Sequence, residues 1–72
     1  MLSPRECWEA VGRSVGPAMT AALVEQFAGG LSPADLVAGL KLTRPGIENF
    51  PWWPHLLSGL EYAKSQLDGS NN

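Results

Sequence analysis

Seventy-two residues make one small domain, and a chain of that size buries only about 60% of its unfolded surface, so its core is marginal. Five Lys and Arg against seven Asp and Glu leave a net charge of −2, the wrong sign for a dedicated nucleic-acid binder. A single cysteine, Cys7, excludes an internal disulfide, and a single histidine, His55, has no second ligand at metal spacing.

Ser3-Pro4-Arg5-Glu6 sets a capping serine, a first-turn proline and a glutamate three residues after the serine. That capping box predicts a helix from Pro4 to about Ser14. Cys7, Trp8, Val11 and Val15 share its apolar face, which marks Cys7 as a buried, inert thiol. Gly16 ends this helix and Pro17 restarts the chain, with Met19, Ala22, Leu23 and Phe27 at helical spacing until Gly29-Gly30. Ser32-Pro33-Ala34-Asp35 repeats the capping chemistry and opens a short helix carrying Leu36, Val37 and Leu40. Lys41-Leu42 reads as a tight turn, Thr43-Arg44-Pro45 as the start of a fourth helix from Arg44 to Phe50, and Pro51 as its stop. A last helix begins near Pro54, where Leu56, Leu60, Ala63 and Leu67 recur as a narrow, coiled-coil-like seam. No segment alternates like a strand. The expected fold is all-α, a small helical domain of four to five short helices over residues 1–68, with 69–72 as a disordered tail.

The segment from Leu23 to Phe50 resembles the helix-turn-helix of bacterial and phage regulators. Gly30 to Leu40 matches its first helix, Lys41-Leu42 its turn, and Thr43 to Phe50 its recognition helix. Leu36, Leu40, Leu42, Ile47 and Phe50 occupy the five apolar positions that hold two such helices at a steep angle. Two positions depart from the family: Lys41 stands where glycine is usual, and Val37 where alanine or glycine is usual. The resemblance implies a helix-turn-helix core and a DNA-binding transcriptional regulator of a phage or mobile element, acting as a dimer. In that role Thr43 and Arg44 meet the groove first, Arg44 reads guanine, Asn49 adenine and Glu48 cytosine, and Lys41 and Arg13 contact phosphate.

Pro51-Trp52-Trp53-Pro54 spells the name of a chromatin reader, but those readers are basic β-barrels and this stretch lies between helices of an acidic chain. One of its rings is expected to plug the core. The other, with Leu56, Leu60 and Leu67, is expected to form a protein interface. The alternative function is therefore an acidic inhibitor that keeps the helix-turn-helix shape and docks on a host regulatory or defence protein. No phosphate loop, carboxylate pair or nucleophile elbow is present in the sequence, so no enzyme, cofactor, metal or small-molecule substrate is expected. With disulfide and metal set aside, a second subunit remains to stabilise the scaffold, and a homodimer is expected. No apolar run nears the roughly 18 residues of a membrane span and no secretory leader is legible, so a cytoplasmic chain without a membrane partner is expected.

Overall fold

A computed structural model describes residues 2–69. The chain is all-helical: α1 spans Pro4–Ala28, α2 Pro33–Thr43 and α3 Trp53–Gly69, with one turn of 3-10 helix at Ile47–Asn49. The N-termini form as the capping chemistry requires. Ser3 Oγ accepts from the Glu6 amide at 3.2 Å while Glu6 Oε1 accepts from the Ser3 amide at 3.0 Å, a reciprocal pair that satisfies two donors an isolated helix would leave bare. Ser32 Oγ accepts from the Asp35 amide at the start of α2 in the same way.

Helix α1 is broken at Gly16, whose φ of 87° and ψ of 168° lie outside the helical region. Pro17 then begins the second arm, and Thr20 Oγ1 donates to the Gly16 carbonyl at 2.7 Å. The two predicted helices thus appear as two arms, 4–15 and 17–28, of one interrupted element. Both arms reach the same part of α3, the first through Trp8 at Gly59 and the second through Phe27 at Lys64. The second arm ends in a Schellman motif: the Gly30 amide donates to the Phe27 carbonyl at 3.0 Å and the Leu31 amide to the Gln26 carbonyl at 3.1 Å. Lys64 Nζ adds a bond to that same Phe27 carbonyl at 3.3 Å, which places a cation at the negative end of the arm.

The core joins Val11, Leu23 and Phe27 of α1, Leu36 of α2, and Leu56, Leu60 and Ala63 of α3. The α3 seam is therefore consumed inside the molecule. Where α3 crosses α1 there is no space for a side chain, because a Cβ on Gly59 would lie 2.9 Å from the Trp8 amide nitrogen and 3.0 Å from its Cα. Helix α2 rests on α3 and on the 3-10 turn, whereas no comparable packing joins it to α1.

Three expectations are corrected. Lys41 and Leu42 are not a turn but the last turn of α2, and Leu42 is 82% exposed. Arg44 to Phe50 is not an α-helix: Pro45 disfavours helical geometry at Arg44, whose φ of −138° and ψ of 79° end α2 there. Gly46 at φ 90° and ψ −2°, with the Ile47 amide donating to the Arg44 carbonyl at 3.1 Å, makes Arg44-Pro45-Gly46-Ile47 a type II turn. Gly69, assigned to a disordered tail, is the last residue of α3; the rest of that tail, 70–72, lies outside the described residues.

The capping box has a pH signature. The backbone N–H of Ser3, and then its side chain, hold the Glu6 carboxyl below the ordinary glutamate range. A group whose pKa is lower when folded contributes above its unfolded pKa and loses that contribution as pH falls through the folded value. Carboxyl-detected NMR titration should give Glu6 a depressed midpoint, and Ser3→Ala should raise it part of the way while lowering stability by about 1 kcal/mol.

Candidate functional site

Because α2 leans on α3 and the turn, it splays from the second arm of α1 and leaves a groove between them. Met19, Ala22, Leu23 and Gln26 recur at helical spacing along one wall, and Asp35, Leu36, Gly39, Leu40 and Thr43 along the other. This hollow, of about 420 Å³, adjoins one of about 400 Å³, and the two share Met19, Leu23, Leu40 and Thr43. The second hollow continues over Val15, Ile47, Phe50 and Trp52 and has Arg44 at its rim. Its floor is core, since Leu23, Ile47 and Leu56 are buried, while Met19 (44% exposed) and Phe50 (40%) stand open to solvent.

The turn segment builds an aromatic corner at the second hollow. Phe50 and Trp52 stack with centroids 5.5 Å apart and planes 17° from parallel, and Trp53 lies 6.3 Å from Trp52 at 53°. Two cations dress the rings: the Arg44 guanidinium sits 5.5 Å from the Phe50 centroid and Lys41 Nζ 6.0 Å from that of Trp53. At such exposed sites each contact stabilises by about 0.5–1 kcal/mol. Both tryptophans are half-buried against the core, where one ring alone was expected.

The six residues assigned to DNA contact do not share a helix. Arg13 is exposed on the first arm of α1, in a hollow with Glu9, Gly12, Pro17 and Thr20 that has no residue in common with the groove. Lys41 and Arg44 lie on rings, and Thr43 Oγ1 donates back to the Gly39 carbonyl at 2.9 Å. Glu48 Oε1 accepts from the Gly46 amide at 3.1 Å, so its carboxylate braces the turn. Asn49 is exposed, with its backbone N–H donating to the Gly46 carbonyl. Of the interface set, Leu56 (2% exposed) and Leu60 (0%) are core residues and cannot meet a partner, and Leu67 packs against the same core. Trp52 alone of that set lines an open hollow without being buried.

The groove residues Met19, Gly39 and Phe50 were not singled out from the sequence for partner contact. Met19 and Phe50 carried helical periodicity and so read as core. Gly39 is signalled only by its oddity, since a glycine inside a helix costs about 1 kcal/mol relative to alanine unless space is needed there. A Cβ at Gly39 would meet nothing within 4 Å.

Among the described residues, no helix is long and apolar enough to cross a membrane. Comparison with protein-family models, with curated proteins and with solved structures gives no match.

The position of Leu42 separates this arrangement from a helix-turn-helix, in which the same side chain is core. Leu42→Ser should change the unfolding free energy by less than about 0.5 kcal/mol. Leu36→Ala should cost roughly 2–4 kcal/mol, and chemical denaturation of the two variants reads the difference. Equal losses would require Leu42 to be packed.

Proposed function

We propose that the chain is a non-enzymatic module that binds another protein through the groove between the second arm of α1 and α2. The observation that carries this reading is a floor of core residues left open beneath Met19, Phe50 and Trp52, an arrangement that places aromatic and thioether side chains where interfaces concentrate them. The net charge of −2 suits a partner with a basic surface around its contact. An inhibitor that occupies the surface of a regulatory or defence protein remains the fitting biological role. DNA regulation is the weaker reading, because Arg44 to Phe50 supplies a β-turn and three residues of 3-10 helix in place of a recognition helix.

A photo-crosslinking side chain placed at Met19 should give a discrete protein adduct in the cell, and the same group at exposed Glu61 should not. Addition of Gly39→Leu, which points into the groove, should abolish the Met19 adduct. Retention on random duplex DNA at about 50 mM salt, lost as salt rises and absent in Arg44→Ala, would instead support the regulator.

A further inference from the structure

We propose that the groove takes one amphipathic helix of its partner, oriented by opposite charges at its two ends; this rests on the reading of the chain as a protein-binding module. Three features of the groove define the occupant. The first is length. Arg44, the C-cap of α2, follows Asp35 by nine positions, which at helical rise is about 13 Å, or roughly two and a half turns of a docked helix lying alongside. Such a segment presents apolar side chains at i, i+3 or i+4, and i+7, the spacing with which helices fill grooves of this kind.

The second feature is the floor. Gly39 stands midway along α2 with nothing within 4 Å of where its Cβ would be, between Leu36 and Leu40 on the same wall. The gap admits a large central anchor from the partner, and Met19 opposite can change rotamer to fit it. The third feature is charge. Asp35 lines one end and Arg44 the other, and among the described residues neither forms an ion pair: the ion pairs there are Arg5 with Glu9 and Lys64 with Asp68. A helix with an acidic residue at one end and a basic residue at the other meets both. A second copy of this chain fits less well, because a two-fold pair sets groove against groove, and two concave faces cannot fill each other.

The test uses three helix-stapled peptides of about twelve residues, long enough to cover the groove with one residue to spare at each end. All carry the same apolar face, Leu-Phe-Leu at the first, middle and last turns. One has Glu at one end and Lys at the other, one has Glu at both ends and one has Lys at both. Binding to the full chain is read by fluorescence anisotropy. The mixed peptide should bind about five-fold more tightly than either like-charged peptide, the size expected for one rim ion pair. Arg44→Glu makes both groove ends acidic and should transfer the preference to the Lys-Lys peptide. Gly39→Leu should weaken the mixed peptide at least about ten-fold, with the far-ultraviolet circular dichroism unchanged, as expected where the new side chain enters open space. Equal affinity for all three peptides, with Gly39→Leu still blocking them, overturns the charge-oriented helix and leaves protein binding at the groove in place. Binding insensitive to Gly39→Leu overturns the site. No binding by any peptide, together with a dimer in sedimentation that Gly39→Leu converts to monomer, assigns the groove to a second copy and overturns the inference.

Discussion

The crossing of α3 over α1 at Gly59 sets the rest of the molecule. A main-chain approach this close leaves no room for even a methyl group between the helices, and it presses Leu56, Leu60 and Ala63 onto Val11, Leu23 and Phe27. In a chain with so little interior, each of these side chains carries a large share of the net stability. Burial of a leucine contributes roughly 2–3 kcal/mol before the entropy of ordering it is subtracted. The break at Gly16 serves the same crossing by letting both arms of α1 fall on one short stretch of α3. Lys64 then fastens the second arm from the other side.

The groove follows from that geometry. With both arms of α1 seated on α3, α2 buries Leu36 in the core and packs Val37 and Leu40 against it, and its other supports are α3 and the turn that follows it. Leu40 also lines the groove that faces the second arm. A Cβ at Gly39 would meet open space there, and the stacked rings of Phe50 and Trp52 line the end near Arg44. The exposed apolar surface is thus a product of how three helices share too small a core.

Much of the fold was legible because its signals are local. Ser3, Ser32 and the prolines after them declare helix starts whatever the tertiary context, Gly29-Gly30 declares a stop, and the Gly16-Pro17 break is written in two adjacent residues. The error at 41–50 has an equally local cause. Thr43-Arg44-Pro45 can open a helix by capping or close one through the X-Pro restriction, and the template of a helix-turn-helix favoured the first choice. Nothing between Pro33 and Thr43 breaks a helix, and Pro45-Gly46 is a turn signature, so the backbone takes the second. The groove was only partly legible because helical periodicity marks an apolar face without saying what covers it. Leu56 and Met19 lie on faces of the same kind; one is sealed by α1 and the other is left bare. Gly59 was silent for a different reason: in sequence it is merely a poor helix former, and only the approach of a second backbone gives it a role.

Gly59 and Gly39 therefore provide the sharpest measurement, since both are mid-helix glycines that helix propensity alone would improve with alanine. Guanidinium unfolding of the two alanine variants should give opposite signs. Gly39→Ala should stabilise by about 0.5–1 kcal/mol, because its methyl enters open space. Gly59→Ala should destabilise by roughly 2 kcal/mol or more, because the Trp8 backbone must retreat to admit it. A Gly59→Ala chain as stable as the wild type would mean that α3 does not cross α1 at contact distance, and the groove derived from that crossing would have no basis.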